Sequence, residues 1–464
     1  MKTKYYLMTV AAALALAACA KQEQTVQPEE ATAEMAVGFD AYTSRGVDTK
    51  AGPAGELTTS GFKVSPSAFK DAGFGVFAYY TDNNDYDSNS VPNFMYNQQV
   101  KWNGNSTSGK WEYSPVKYWP NEYGSNAISD DRDKVSFFAY APWVAVVPST
   151  GKIDGTVDLT TWGITGVTRN TITGDPLVKY MVSFDPTKSV DLVWGVVPAA
   201  STTWNTIYDG DTEQTMVAGK PWANVERPAT TAQTLKFDFN HALSKLNVQI
   251  DAFVDGTDAT NALATETRIF VRSITFSGFA IKGALNLNNQ SANTAYWKDY
   301  AGVDDLMTGE EVTIFDGRKD GKEGASDATA SNEKILGLNP VIISDNGNTQ
   351  VGVTNAAVNL FDSATATTPV YVIPTGDPVK VTIVYDVETE DSSLATYLSD
   401  GKTFGSSIQN TISKNVTFGT SNKFENGKAY TLKLHLGMNS VKLEAEVTTW
   451  VPETASDTDL PANS

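Results

Sequence analysis

The residue types that most often carry nucleophilic or metal chemistry are scarce in this chain. His241 and His435 are its two histidines, and neither stands near the Gly-x-Ser-x-Gly turn that presents a serine nucleophile. His241 falls at the entry of a predicted strand and His435 within one, so we interpret both as structural polar residues. Two histidines so far apart in sequence also argue against a transition-metal site. We expect neither enzymatic activity nor a cofactor.

Two acidic stretches have side chains that suit calcium. Asp85, Asp87 and Asn89 alternate as EF-hand ligands do, but Ser90 stands where that loop requires glycine and Tyr96 where it requires a bidentate glutamate. The second stretch, residues 316–327, has no regular spacing of carboxylates. We interpret both stretches as solvated loops.

The single cysteine of the chain, Cys19, has a context that suits covalent lipid attachment. Lys2 and Lys4 precede an apolar run over residues 7–18, which ends in Leu-Ala-Ala immediately before Cys19. This run is too short to span a bilayer. The pattern matches a bacterial lipoprotein signal peptide over residues 1–18, with lipidation at Cys19; an ordinary signal peptide followed by a chance cysteine is the alternative. No further cysteine exists for disulfides or thiolate metal sites.

The charge of the chain argues against nucleic acid as a partner. Without residues 1–18, the chain has 33 basic and 54 acidic residues, a net charge of 33 − 54 = −21. An acidic body repels phosphate backbones. Residues 20–34 are polar and aperiodic, which predicts a flexible tether between the lipid and the folded part.

Short runs with strand character, separated by turn residues, follow one another along the chain. Met35, Val37, Phe39 and Ala41 alternate with other residues and predict an isolated N-terminal strand. The later runs are residues 74–80, 93–102, 111–120, 135–142, 192–197, 235–239, 246–250, 269–281, 370–374, 379–385, 430–436 and 441–447. This spacing predicts an all-β fold of antiparallel sandwiches.

The predicted domains follow from the polar gap at residues 255–264. We expect a tether and N-terminal strand over residues 19–45, an N-terminal sandwich over 46–257 and a C-terminal sandwich over 258–464. In the last predicted strand, Val441, Leu443, Ala445 and Val447 alternate with charged residues, as in a strand with one buried face.

Several of these segments together resemble the fimbrillin family, the subunits of the type V pilus of Gram-negative anaerobes. The resembling segments are residues 74–80, 94–98, 113–120, 135–142, 241–246 and 424–430, together with Trp450. The resemblance covers most of the chain in order. It implies two tandem transthyretin-like β-sandwich domains, no catalysis, and a lipoprotein precursor carried to the outer membrane.

The resemblance also implies an assembly route: an Arg-specific protease removes the N-terminal strand, and a strand from another subunit fills the vacated groove. Arg45 lies before a small residue, Gly46, in a predicted exposed loop just after the strand; an ordinary loop arginine is the alternative. Lys50 is a competing position for a Lys-cutting enzyme. Each large apolar side chain of the removed strand would contribute about 1.5–3 kcal/mol when buried. The vacated groove would recruit a new strand, and head-to-tail contacts would extend into a filament.

The donor of that strand is left open by the sequence. Residues 441–447 are the candidate donor, and they are equally well explained as the last strand of their own domain. In the second case the subunit would accept a strand and give none, as at a pilus tip. We therefore expect a structural subunit of a cell-surface pilus that supports adhesion, with other pilus subunits and a surface receptor as partners.

Two other functions compete with the pilus subunit. A non-polymerising surface lipoprotein that binds glycans could use Trp102, Trp111, Trp119 and Trp143 to stack on sugar rings, although core packing is the commoner role of such residues. A secreted glycoside hydrolase would need a carboxylate pair, and 54 acidic residues single out none.

Overall fold

The structure of the chain is a computed structural model, and it describes a β-rich protein. The described residues are 35–43, 73–104, 109–120, 133–153, 163–184, 189–206, 213–228, 233–252, 267–304, 307–316, 342–344, 358–361, 370–390, 393, 404–437 and 441–449. Within them, all regular structure is β-strand except a single 3-10 turn, η1 (Ala199–Ser201).

The first sheet has eight strands and contains most of the N-terminal part. Its strands are β1 (Phe39–Thr43), β2 (Phe74–Tyr80), β3 (Met95–Gly104), β4 (Gly109–Glu112), β5 (Lys134–Ala141), β10 (Val193–Val196), β13 (Trp222–Glu226) and β14 (Leu235–His241). They run in the order β1-β14-β10-β5-β2-β3-β4, and β13 pairs with β5. All these pairings are antiparallel except that of β1 with β14, which is parallel.

A second sheet of six strands is built from two distant parts of the chain. Its strands are β6 (Val146–Val147), β7 (Lys152–Ile153), β8 (Gly163–Val167), β9 (Leu177–Met181), β17 (Lys282–Asn286) and β18 (Tyr296–Lys298). They lie in the order β18-β17-β9-β8-β7-β6. A separate small hairpin joins β11 (Thr203–Asn205) to β12 (Glu213–Thr215).

The third sheet has ten strands and contains most of the C-terminal part. Its strands are β15 (Ser244–Ala252), β16 (Thr267–Ala280), β19 (Glu310–Asp316), β20 (Ile342–Ser344), β21 (Val358–Asn359), β22 (Val370–Pro374), β23 (Lys380–Glu390), β24 (Phe404–Asn415), β25 (Lys428–Leu436) and β26 (Val441–Thr449). Its main path is β24-β23-β16-β22-β15-β25-β26, so β26 is an edge strand.

Two apolar cores lie on the two faces of the first sheet. One face packs around Phe74, Phe137 and Phe237, together with the N-terminal strand. Residues of the other face, such as Tyr140 and Trp194, join a larger core shared with the second and third sheets. The alternation read from the sequence explains this arrangement, since successive side chains of a strand point to opposite faces.

The predicted all-β class, with two tandem sandwich-like sheet systems, is confirmed. Sheet membership changes between β14 and β15, at residues 242–243, and again at β17 and β18, which join the second sheet. Residues 253–266 lie outside the described part, so the boundary at 257/258 stays a prediction. No helix among the described residues is long and apolar enough to cross a membrane.

Candidate functional site

The candidate site is the groove of the first sheet that holds residues 35–43, which we call the closing strand. On one side, β1 pairs in parallel with β14, and the register places Phe39 opposite Leu235, Ala41 opposite Phe237 and Thr43 opposite Phe239. A further backbone bond runs from the Leu235 amide to the Gly38 carbonyl, at 2.9 Å. The closing strand therefore covers the β14 edge.

The N-terminal end of the closing strand bonds to a different segment, residues 117–119, which follows β4. The Val37 amide donates to the Lys117 carbonyl at 2.9 Å, and the Trp119 amide donates to the Met35 carbonyl at 2.8 Å. The Tyr113 hydroxyl adds a bond of 2.8 Å to the Val37 carbonyl. The closing strand thus connects the two ends of the first sheet, and its loss would leave two backbone edges without partners.

The side chains of the closing strand alternate between the core and the surface, as the sequence predicts. Val37, Phe39 and Ala41 are 2%, 6% and 1% exposed, whereas Met35 is half-buried at the end of the strand. All four pack in or against the core of the first sheet. The segment is therefore a docked strand and not a loose tail on the exterior.

Phe39 occupies the most aromatic part of the groove. Its ring centroid lies 5.3 Å from that of Tyr113, 6.1 Å from those of Phe137 and Phe237, and 6.3 Å from that of Phe74. Three of these contacts are edge-to-face and the fourth is stacked, which are the arrangements that aromatic quadrupoles favour. An occupant of this groove therefore needs a large apolar side chain at this position.

The small residues of the closing strand also match the groove. A Cβ atom at Gly38 would approach the Thr234 Cγ2 methyl to 2.8 Å, so a larger residue there requires the Thr234 side chain to move. The Ala41 side chain is almost completely buried, which leaves little room for a larger one. The groove therefore selects by size at these positions as well.

Two tyrosines have raised pKa values, Tyr113 beside the closing strand and Tyr42 within it. Burial raises the pKa of Tyr113 to about 12. Burial also raises the pKa of Tyr42 to about 12, with further contributions from the negative charges of Asp238 and Asp40. Both phenols are therefore neutral at physiological pH, and Tyr113 is a hydrogen-bond donor to the closing strand.

The candidate donor residues lie far along the chain in β26. This strand pairs antiparallel with β25 over nine residue pairs, from Val441 opposite Leu436 to Thr449 opposite Lys428. Val441 is buried, Leu443 and Ala445 are half-buried, and Val447 is 40% exposed. β26 is therefore an edge strand of its own sheet, and only one of its faces is partly buried.

Other residues that the sequence singled out fall outside the described part or have packing and hydrogen-bond partners within the fold. Cys19, Arg45, Gly46 and Lys50 lie outside the described part. Trp111 and Trp119 are buried in the first core, and Trp102 and Trp143 are half-buried. His241 Nδ1 lies 2.8 Å from Asp191 Oδ2, and His435 Nδ1 lies 2.5 Å from Asp251 Oδ1. Within the described residues, no three His, Cys, Asp or Glu side chains form a metal-binding group.

Sequence reasoning did not identify the walls of the groove. Residues 111–120 and 235–239 were predicted as strands, but nothing local shows that both segments border residues 35–43. The aromatic residues of 111–119 were a usable signal, since the Tyr113 hydroxyl bonds to the closing strand and the Trp119 side chain packs in the same core.

The fold and the groove define a class: a tandem β-sandwich protein whose first sheet is closed by its own N-terminal strand. No protein-family model matches the chain. The fimbrium subunit Fim1C of Phocaeicola vulgatus is 35% identical over 147 residues, which are 31% of this chain and 31% of that protein. The match therefore spans less than a third of either protein, and it confirms the predicted resemblance to fimbrial subunits.

Two solved structures illustrate what this chain is similar to. A fimbrial protein from Bacteroides vulgatus is 22% identical, covers 90% of this chain and 100% of its own, and has a TM-score of 0.48. A candidate cell adhesion protein from Bacteroides uniformis is 13% identical, covers 90% of this chain and 98% of its own, and has a TM-score of 0.37.

Proposed function

We propose that the chain is a structural subunit of a cell-surface pilus that assembles by strand exchange and supports adhesion. The observation that carries the proposal is the position of the closing strand between two edges of the first sheet, β14 and residues 117–119. When it departs, it uncovers an apolar groove flanked by free backbone donors and acceptors, and such a groove binds another strand.

Proteolysis would supply the trigger. While residues 35–43 remain covalently joined to β2, the closing strand rebinds as an intramolecular ligand, at an effective concentration in the millimolar range. A strand from another molecule competes poorly with such a ligand. Cleavage after Arg45, the first basic residue beyond the strand, removes this advantage, so the precursor is blocked until it is processed.

The same cut would release the subunit from the membrane. The lipid on Cys19 would hold the precursor at the outer membrane, and Cys19 lies on the same side of Arg45 as the closing strand. Processing between Arg45 and Gly46 therefore removes the lipid, the tether and the strand together. The processed subunit could then join an extracellular pilus.

The apolar pattern of β26 suits the vacated groove in one register. If Val441, Leu443 and Ala445 take the places of Val37, Phe39 and Ala41, then Glu444 takes that of Asp40 and Lys442 that of Gly38. Lys442 is one mismatch, because its Cβ requires Thr234 to move. Glu446 is a second, because it takes the place of Tyr42 and lies opposite Asp238.

The alternative register begins two residues earlier in the groove and fits poorly. It places Ala445 where Phe39 lies, which leaves a void in the groove at that position. It also places Val447 where the buried Ala41 lies, which overpacks the groove there. A donor role also requires β26 to leave β25. A subunit whose β26 stays in its own sheet accepts a strand without giving one, as at a pilus tip.

The direct test is to treat the purified precursor with an Arg-specific protease and to follow the products. We expect a product that begins at Gly46, followed by oligomers that resist SDS. Arg45→Ala should block both, and Lys50→Ala, a matched change five residues away, should leave both unchanged. An Arg45→Ala variant that is still processed and polymerises normally would refute the cleavage assignment.

A correctly processed wild-type product that never polymerises, alone or with other pilus subunits, would refute the assembly route. Saturable binding to a polysaccharide without polymerisation would instead favour the competing glycan-binding lipoprotein.

A further inference from the structure

The second sheet has a row of lysines that run straight across its strands. Pairing places Lys298 of β18 opposite Ala284 of β17, Ala284 opposite Lys179 of β9, Lys179 opposite Gly166 of β8, and Gly166 opposite Lys152 of β7. Lysine thus stands on every second strand, with small residues between. At about 4.8 Å between strands, the lysines are about 10 Å apart and the row spans about 19 Å.

A fourth lysine, Lys282, lies on the same face because it is two residues from Ala284 in β17. We call Lys152, Lys179, Lys282 and Lys298 the basic face. Lys152 and Lys282 are exposed, and Lys179 and Lys298 are half-buried. The opposite face of the same strands carries Val178, Tyr180 and Leu285 into the core, so the basic face is the outer one.

Tyrosine rings hold part of the basic face in place. The Nζ atoms of Lys179 and Lys282 lie 5.3 Å and 5.9 Å from the ring centroid of Tyr300. The Tyr300 hydroxyl is 2.7 Å from Thr165 Oγ1, which fixes the ring on the sheet. The Lys298 Nζ lies 5.6 Å from the ring centroid of Tyr296. Cation–π contacts restrict the motion of these ammonium groups. The lysine side chains therefore lose less conformational entropy when a ligand binds.

Among the described residues, the acidic groups nearest in sequence to this face are Asp299 and Asp175, and both accept hydrogen bonds from other groups. Asp299 Oδ1 accepts the backbone amides of Val303 and Asp304. Both Asp175 oxygens accept hydrogen bonds from asparagine amides, and one also accepts the Tyr86 hydroxyl. Within the described residues, no carboxylate forms an ion pair with Lys152, Lys179 or Lys282. The face is therefore a local positive region on a chain of net charge −19.

We propose that the basic face binds a linear acidic polysaccharide. Four positive charges spread across the strands of one sheet face suit a polymer with repeated, separated anionic groups better than a single small anion, which needs a pocket. Apolar tyrosine edges and hydroxyl groups beside the lysines offer contacts to sugar rings and to their hydroxyls. The proposal is independent of strand exchange, because the basic face lies outside the groove.

The test is equilibrium binding of the purified precursor to polygalacturonate, with neutral dextran as the uncharged control. The double variant Lys179→Glu/Lys282→Glu should weaken binding about tenfold. The control double variant Lys101→Glu/Lys414→Glu has the same net charge but changes exposed lysines outside the basic face, and it should change binding less than twofold. Lys179→Gln/Lys282→Gln should give an intermediate loss, and it removes the charges without adding repulsion if the glutamate variant does not fold.

Salt and competing polymers complete the test. Binding should weaken as the salt concentration rises from 50 to 300 mM, because the screening length of exposed charges falls from more than ~10 Å to about 5 Å. Equal losses in the two glutamate variants, or no binding to polygalacturonate at about 50 mM salt, would overturn the proposal. Equally tight binding of inorganic polyphosphate would overturn the assignment to a polysaccharide.

Discussion

Phe39→Ala should open the groove without proteolysis. The Phe39 ring is 6% exposed and lies within 6.3 Å of four aromatic rings, so its removal leaves a cavity that the closing strand cannot fill. Removal of a buried phenylalanine side chain costs about 3–5 kcal/mol. If this cost falls on docking of the closing strand, the open state becomes about two to three and a half orders of magnitude more populated.

The assay is amide hydrogen exchange of the uncleaved precursor. The Leu235 and Trp119 amides donate to the Gly38 and Met35 carbonyls, so both report directly on departure of the closing strand. We expect both amides to exchange faster in Phe39→Ala by about two to three and a half orders of magnitude, up to the exchange rate that global unfolding sets.

The matched control is Phe418→Ala, in the larger core that the second and third sheets share. Phe418 is 3% exposed and its ring lies 4.4 Å from that of Tyr430, so the change is chemically identical but remote from the groove. Unchanged exchange of the two amides in Phe39→Ala, or equal acceleration in both variants, would show that Phe39 does not hold the closing strand in place.

Three further changes test the surrounding structure. Tyr113→Phe removes the hydroxyl that donates to the Val37 carbonyl, so the thermal midpoint of the variant should be lower than that of the wild type. Burial raises the Tyr113 pKa from about 10 to about 12. The difference in thermal midpoint should therefore be full below pH 10 and lost as the pH rises through 12. Arg272→Met leaves the buried Asp386 carboxylate without the guanidinium 2.8 Å away and should destabilise the protein in urea by about 3 kcal/mol, while a further Asp386→Leu should recover most of it. Gly195→Ala brings a Cβ to 2.7 Å from a core phenylalanine ring and should cost about 1–3 kcal/mol in the same assay; a neutral result would show that the core relaxes freely.

The sequence predicted many of the strands because their signals are local, but it missed β8, β9, β13 and β24, and β4 ends at Glu112, early in the predicted run 111–120. Alternation in residues 35–42 identified the closing strand, and its buried positions are the ones that the alternation predicts. Its neighbours could not be predicted, because β14 is separated from it by almost 200 residues and pairs in parallel, without a connecting turn that would set the register. The basic face was hidden for the same reason, since its lysines come from four separate strands.

A cysteine cross-link shows whether a strand of a second subunit occupies the groove after processing. Tyr42 pairs with Asp238, so the favoured register places Glu446 of the donor opposite Asp238 of the acceptor. The product of cleavage after Arg45 lacks Cys19 and is free of native cysteine. Processed Asp238→Cys subunits mixed with processed Glu446→Cys subunits should form intermolecular disulfides.

Glu444→Cys is the out-of-register control, because two residues of offset separate the Cα atoms by more than about 7 Å, beyond the reach of a disulfide. We expect cross-linking at position 446 but not at position 444, and only after cleavage. Equal cross-linking at both positions, or the same yield from uncleaved precursor, would contradict it.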